Sequence, residues 1–528
     1  MTKVKNYLSA GLLAIFMFVT DLSAQAPDDI KNIFMQAESY FLYEEYELAN
    51  QLFLLIESPE NMNIKYKIGT CYLNIPGEKE KSIQYLEEAV KGVSSNAKPD
   101  SPKELKAPQE AWFSLAKAYM INNDFEKAIT TLGIFEESVR KSGTMNELAN
   151  YEFIAQQIQA CKNAIQYRQF PIDFLKESLG TGFSQGSINE NPAVSHDGNV
   201  IVYTERRGIE NAIFFSVKRN GIWESPVEIT GELNAGTDCS STALNYDGTE
   251  LYLYKTDNYD GAIYSSVYAN GKWSPIVRLN RNINTRYYES HASVSADGNR
   301  LYFTSNREGG QGNLDIYVSQ KEGNGSWGPA VNLGATINTP FNEDTPFITS
   351  NDSLLFFSSE GHNSIGGFDI FKSVQTSSGW REPSNLGYPV NSADDDKFFQ
   401  PEKNGKNAYY SLTSGYKQKE IFHIDLQKSQ DNSPYKLMGV LNIADSSNAA
   451  GKSFNVRIVS QVTGDTLYKS VTDESGRYSL NVSPGLFRIV YSGRGYVTQI
   501  VDTVFPQNSP DFLMNIDMTL QKDLTAAG

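Results

Sequence analysis

His196-Asp197-Gly198, Tyr246-Asp247-Gly248, Ala296-Asp297-Gly298, Ser350-Asn351-Asp352 and Lys403-Asn404-Gly405 are one polar turn written five times. Asp197 to Asp247 and Asp247 to Asp297 are steps of 50 residues, and the next two, to Asn351 and Asn404, are 54 and 53. An alternating strand follows each turn: Val200-Ile201-Val202-Tyr203, Leu251-Tyr252-Leu253-Tyr254, Leu301-Tyr302-Phe303-Thr304, Leu354-Leu355-Phe356-Phe357 and Ala408-Tyr409-Tyr410. A second strand follows near Ile213, Ile263, Ile316, Ile370 and Ile421, and Trp223, Trp273, Trp327 and Trp380 close four of the copies. A period near 50 with several short strands per unit predicts a β-propeller, here of five blades.

The fifth copy has no tryptophan. Leu179-Gly180 stands 13 residues before Pro192, as Leu333-Gly334 stands 13 before Pro346. Residues Ile172–Leu179 therefore read as the outer strand of the last blade, supplied from the front of the array. Pairing them with Glu420–Ile424 would close the ring and remove an open sheet edge.

Outward from this array, residues 27–168 carry helical spacing. Trp112, Leu115, Ala116, Tyr119, Ala128, Leu132 and Phe135 keep the offsets of a tetratricopeptide repeat, with small residues where two antiparallel helices approach. Ala37, Tyr40, Ala49 and Phe53 form an earlier copy, and Gly69, Tyr72, Ser82, Leu86 and Ala89 a middle one. The groove of such a stack would be lined by Phe34, Glu38, Phe41, Tyr66, Thr70, Lys117 and Met120, either open to a partner segment or packed on the rest of the chain. Beyond a polar linker after Lys428, alternating runs at 454–458, 478–482 and 487–491 with turns at 472–476 and 483–485 predict a small antiparallel sandwich over 435–522. The domain reading is a leader over 1–24, a helical repeat domain over 27–168, a propeller over 170–428 and the sandwich over 435–522.

Lys3 and Lys5, the apolar run Leu8–Val19 and Ala24-Gln25-Ala26 make a secretory signal peptide, so the mature chain is expected to begin at Gln25 or Pro27. The net charge of −16, without a basic stripe, argues against nucleic acid as a partner. Cys71, Cys161 and Cys239 are too few and too scattered for a disulfide framework and read as buried thiols. Gly182-Phe183-Ser184-Gln185-Gly186 matches G-x-S-x-G, but no strand–turn–helix of a hydrolase domain surrounds Ser184. His196, His291, His362 and His423 show no metal-ligand spacing and read as loop and surface residues. An acidic residue precedes each blade: Glu190, Asp238, Glu289, Glu343, and Asp395 within Asp394-Asp395-Asp396. In register these carboxylates would form one rim, fit for a cation or a basic partner. Alternatively each holds its own turn, and their repetition favours that role.

Thr472-Asp473-x-x-Gly476-x-Tyr478 followed by Gly485-x-x-x-Ile489 resembles the carboxypeptidase regulatory-like, transthyretin-like domain. Asn342-Glu343-x-x-Pro346 and Phe303-Thr304-Ser305-Asn306-Arg307 resemble TolB-like, WD-repeat-like periplasmic propellers. The three modules in this order resemble the modular periplasmic protein of the Bacteroidetes type IX secretion and gliding machinery. That family typically ends in an OmpA-like peptidoglycan-binding domain. This sequence stops at Gly528, so contact with the cell wall is not carried over. The resemblance implies a periplasmic location, peripheral to the outer membrane, and secretion-machine subunits as protein partners. The expected function is a non-enzymatic exported scaffold with no cofactor, no metal and no membrane anchor in the mature chain. The competing expectation is a stand-alone periplasmic propeller that binds a peptide or glycan.

Overall fold

The computed structural model describes residues 27–142, 151–169, 171–172, 174–183, 188–257, 260–402, 405–415, 418–426, 435–444, 453–461, 464–482, 485–505 and 513–523. The expected leader and Ser184 lie outside the described residues. Two compact units divide the chain: the residues up to Ile75 with Lys81–Ala111, and Pro76–Glu80 with Trp112–Gly528. The division falls inside a helix of the expected repeat domain, not at its end.

In the first unit α1 (Pro27–Leu42) pairs with α2 (Tyr46–Leu55), and α3 (Met62–Leu73) with α4 (Ser82–Ala89). The Asn61 side chain accepts the Ile64 N–H at 3.0 Å and starts α3. Ala37, Ala49, Phe34 and Phe53 are buried between α1 and α2. Gly69 lets α4 approach α3: a Cβ there would stand 2.5 Å from Leu86 Cγ. α5 (Glu110–Ile121) runs from this unit into the second, where α6 (Phe125–Ser142) and α7 (Tyr151–Tyr167) follow. Ala116, Ala128, Leu132 and Phe135 are fully buried there, as their spacing predicts.

The β region repeats one antiparallel group. β1 (Phe174–Ser178) precedes it. The first group holds β2 (Ile188–Val194), β3 (Val200–Arg207), β4 (Glu210–Arg219), β5 (Ile222–Trp223) and β6 (Val227–Glu228). The next holds β7 (Cys239–Leu244), β8 (Glu250–Asp257), β9 (Asp260–Ala269), β10 (Lys272–Trp273) and β11 (Val277–Arg278). The third holds β12 (Glu289–Val294), β13 (Arg300–Ser305), β14 (Asp315–Gln320) and β15 (Val331–Asn332). The fourth holds β16 (Glu343–Ile348), β17 (Leu354–Ser359), β18 (Asp369–Thr376), β19 (Gly379–Trp380) and β20 (Ser384–Asn385), and the last β21 (Gln400–Pro401), β22 (Asn407–Gly415) and β23 (Gln418–Leu426).

Both faces of each second strand are apolar because each faces a different neighbour. Val202 packs with Leu251 and Leu253 of the second group, whereas Ile201 and Tyr203 pack with Tyr409 and Ile421 of the last. Tyr252 packs with Leu301 and Phe303, Tyr302 with Leu355 and Phe357, and Phe356 with Ala408 and Tyr410. The shared cores thus run from group to group and return to the first. β1 pairs antiparallel with β23 from Phe174↔Leu426 to Ser178↔Phe422, so the front segment completes the last group as its spacing predicts.

After the array, β24 (Tyr435–Ile443), β25 (Asn455–Ser460), β26 (Thr466–Val471), β27 (Arg477–Val482), β28 (Gly485–Ser492), β29 (Gln499–Phe505), β30 (Leu513–Asn515) and β31 (Met518–Leu520) form two sheets. Their orders are β27-β24-β30, with β31 also on β24, and β26-β25-β28-β29. Leu437, Val456, Ile489 and Phe505 lie in the core between them. At the 472–476 turn Gly476 has φ 77°, and a Cβ would meet the Leu441 carbonyl at 2.6 Å. Tyr478, two residues on, donates its hydroxyl to the Ile516 carbonyl at 2.6 Å.

Candidate functional site

The first strands of the groups align by their pairing. Glu190, Ser240, Ser290 and Asp344 stand opposite Thr204, Tyr254, Thr304 and Ser358. Gln400 opposite Tyr409 puts Lys397 at the same rank in the last group. One residue earlier stand Asn189, Cys239, Glu289, Glu343 and Asp396. The acidic residues expected on one rim therefore occupy three ranks: Glu190 on one, Glu289 and Glu343 on the next, Asp238 and Asp395 on a third. Successive strand residues point to opposite faces, so these ranks do not form one carboxylate ring.

Each carboxylate instead has its own partner. Glu289 accepts the Thr285 N–H at 2.8 Å and the hydroxyls of Thr285 and Ser305 at 2.6 and 3.0 Å. Glu343 repeats this with the Thr339 N–H at 2.7 Å and the hydroxyls of Thr339 and Ser359 at 2.7 Å each. Asp396, not Asp395, is the third copy, taking Ser392 N–H at 2.6 Å and the Tyr410 hydroxyl at 2.6 Å. Glu190 pairs with Lys419 at 3.3 Å and Asp238 with Lys255 at 2.5 Å. Burial pushes the Glu343 and Asp396 carboxyls up to about 7.

The strongest convergence lies where the first strands begin. His291 Nδ1 is 2.8 Å from Asp344 Oδ1, and Lys397 Nζ is 3.2 Å from Asp344 Oδ2. The His291 ring stacks on Tyr254 with centroids 5.8 Å apart and meets Phe398 edge-on at 5.1 Å. Side chains of the second, third, fourth and last groups thus meet at one imidazole. Burial opposes ionisation of Asp344, but the His291 ring and the Lys397 ammonium outweigh it and hold the carboxyl well below its usual range. At the other end of the same strands, His196 of the first group reaches the Val294 carbonyl at 3.1 Å and lies 5.6 Å from the Phe347 ring. Burial lowers the His196 pKa, which keeps the ring neutral at pH 7. His362 bonds the Ile337 carbonyl at 2.9 Å and His423 the Glu402 carboxylate at 3.0 Å, so all four histidines are half-buried and partnered, not surface residues. Cys71, Cys161 and Cys239 are buried free thiols. Among the described residues no group of three or more His, Cys, Asp or Glu could hold a metal ion.

Beside this knot the helices of the second unit meet the β loops. Lys117 Nζ stands 3.7 Å from Asp395 Oδ2, and Lys79 pairs with Asp394. Two residues expected in separate sites, a groove and a rim, are thereby one ion pair. Gln156 Nε2 donates to the Glu360 carbonyl at 3.0 Å, Asn163 Nδ2 to the Ser364 carbonyl at 2.8 Å, and Asn363 Nδ2 to the Tyr167 hydroxyl at 2.7 Å. The Arg168 guanidinium lies over the Tyr388 ring, 5.1 Å from its centre.

The other groove candidates are largely occupied. Phe34 packs against Phe53, ring centres 6.0 Å apart, and Met120 is buried in the second unit, so neither lines an open surface. Both lie on the stripe that a 3.6-residue period turns inward. Glu38 is buried in an ion pair with Lys67 at 2.8 Å, and that ammonium sits 4.1 Å over the half-buried Phe41 ring. Tyr66 packs on Ala89, Ala107 and Ala111, and the Thr70 hydroxyl donates to the Tyr66 carbonyl at 2.9 Å.

Three asparagines not singled out by the sequence reading carry the repeat. Asn284, Asn338 and Asn391 each accept the N–H of Ile263, Ile316 and Ile370 at 2.7, 2.8 and 2.7 Å and return a bond to the same residue's carbonyl. Their recurrence at the array's own period was the available signal.

The sequence matches no protein-family model and no curated protein. Among solved structures it is similar to a protein assigned as TolB from Agrobacterium tumefaciens (13% identity, 63% of this chain and 87% of that chain, TM-score 0.31). TolB from Acinetobacter baumannii shows 15% identity over 54% of this chain and 72% of its own, TM-score 0.31. The α-L-arabinofuranosidase PaAbf62A of Podospora anserina shows 11% over 49% of this chain and 98% of its own, TM-score 0.31. Likeness at this level transfers no activity to this chain.

Proposed function

We propose that this chain is a non-enzymatic, exported periplasmic scaffold that holds protein partners of an envelope assembly, the type IX secretion or gliding machinery. The β array is a five-bladed, TolB-like propeller closed by β1, flanked by tetratricopeptide-type helices and a transthyretin-like sandwich. The observation that carries the reading is the polar seam between α5–α7 and the loops at 360–369 and 388–397. Its bonds come from Gln156, Asn163, Tyr167 and Lys117. Such a seam fixes one module on another, which a scaffold needs. The His291–Asp344–Lys397 knot is likewise tied up in internal pairs, which favours support over chemistry. No helix among the described residues is long and apolar enough to cross a membrane.

The test is in-cell cross-linking from exposed positions of the β array, such as Val277 and Val331, followed by identification of the adducts. Secretion-machine subunits support the scaffold. Adducts with free peptides or glycans alone would move the assignment to a stand-alone binder. The same preparation reports the N-terminus, expected at Gln25 or Pro27; an intact Met1 would overturn export.

A further inference from the structure

Among the described residues, exposed large hydrophobics concentrate in one short stretch: Ile30, Met35, Leu42, Tyr43, Leu48, Leu54 and Leu55, all on or between α1 and α2. Met35 (52% exposed) and Leu42 (73%) are seven residues apart on α1; Leu48 (40%) and Leu55 (63%) are seven apart on α2. A seven-residue step returns to nearly the same side of a helix, so each helix shows a solvent-facing apolar seam. The end pair of a helical stack normally turns a polar face outward. This one does not; Glu38, paired with Lys67, borders the α1 seam at three residues from Met35 and four from Leu42.

Charge identifies the occupant. Residues 27–60 hold eight carboxylates and a single lysine, Lys31. Glu38 is paired with Lys67, but Asp28, Asp29, Glu44, Glu57 and Glu60 make no ion pair among the described residues. Like charges repel a second copy of this surface, and they equally repel an anionic lipid surface. An apolar seam edged by unpaired carboxylates suits a helix with leucine-type residues on one side and lysine or arginine beside them. We propose that the α1–α2 face docks a basic amphipathic helix of a partner protein. The proposal narrows the scaffold reading to one face and one partner chemistry, and rests on that reading for its biological setting.

The probe is a peptide of about 18 residues, five turns of helix, with leucines at heptad a and d positions and lysines elsewhere. Its counterpart carries glutamates in place of the lysines. Binding to the chain beginning at Gln25 is read by fluorescence anisotropy at roughly 50 and 300 mM salt. The lysine peptide should bind, at least about tenfold more weakly at the higher salt, and the glutamate peptide should not. Leu42→Glu with Leu55→Glu should weaken binding at least about tenfold. Those substitutions add carboxylates, which would strengthen attraction of a merely electrostatic kind, so a loss isolates the apolar seam. Both side chains are exposed, and far-ultraviolet circular dichroism checks the fold. Glu44→Lys with Glu57→Lys and Glu60→Lys should weaken binding similarly. Undiminished binding to either variant, or equal binding of the two peptides, overturns the proposal. So does a photo-cross-linker at Leu42 that yields only a dimer of this chain. None of these results bears on adducts from the β array, so the scaffold reading stands or falls separately.

Discussion

Glu289 and Glu343 hold the same place in successive groups and accept the same three bonds, yet their surroundings differ by one side chain. Arg307, two residues beyond Ser305, lies 3.2 Å from Glu289. Two residues beyond Ser359 the chain has Gly361, and Glu343 makes no ion pair among the described residues. Folded, Glu343 keeps its proton up to about pH 7; unfolded, it releases it near 4.5. The folded chain binds more protons between these values, so stability falls as pH climbs from about 4.5 to 7 and is level above. Glu343→Gln should flatten the melting temperature across that window and raise stability at pH 8 by up to about 3 kcal/mol. Asp396 leaves a residual slope of the same sign. Arg307→Met leaves the buried Glu289 carboxyl without its ion-pair partner and should cost about 3–5 kcal/mol at pH 8. Thermal scans at pH 5, 6, 7 and 8 decide both; parallel curves for wild type and Glu343→Gln would refute the assignment. The acidic residue before each strand was legible in the sequence. Its rank was not, because a one-residue slip between Asp395 and Asp396 changes the face without changing the composition.

The pairing of β1 with β23 is the element most clearly written in the sequence, as a missing tryptophan at one end and an orphan Leu-Gly at the other. Successive N–H groups of a strand point to opposite sides, so either Leu175 or Lys176 donates into this ladder. Proline at each in turn should leave one variant destabilised by about 3 kcal/mol and the other much less. Amide exchange in 418–426 should rise in the first variant before the rest of the array responds; uniform exchange would refute the closure. The helices were legible in the same way. Ala116 is fully buried, and Ala116→Trp should cost about 1–3 kcal/mol by overpacking. Confinement of that damage to 27–168 is not expected, because Ala116, α6 and α7 belong to the unit that contains the β array. Limited proteolysis of Ala116→Trp should open the 360–369 loop as well. What the sequence hid was the docking itself: Gln156, Asn163 and Tyr167 bond to loop carbonyls and an amide, and such contacts follow no period.

Within the second unit, two ion pairs join the helical segment to the β loops, and a third lies beside them. Lys117 with Asp395, Lys79 with Asp394, and Lys397 with Asp344 form a neighbouring set of pairs. Asp395 is held below its usual pKa against the opposing effect of burial by Lys117 first and Lys397 next. The Lys117–Asp395 pair is partly exposed, so its loss should cost less than about 1 kcal/mol and should fade with salt. Lys117→Met should therefore melt slightly below wild type at low salt and with it near 1 M; a difference that persists at high salt would assign Lys117 a packing role instead.

The seam of the array also has a mechanical meaning. The chain enters at Phe174 and leaves at Leu426, and these two residues are opposite each other in the ladder. A pull applied between the two ends would load that pair alone and then the next, peeling the seam rung by rung instead of shearing it all at once. From the front, however, tension first meets the α7 contacts and the bond from the Ile172 N–H to the Tyr388 carbonyl at 2.8 Å. Those contacts act as strain relief for a joint that would otherwise unzip at low force.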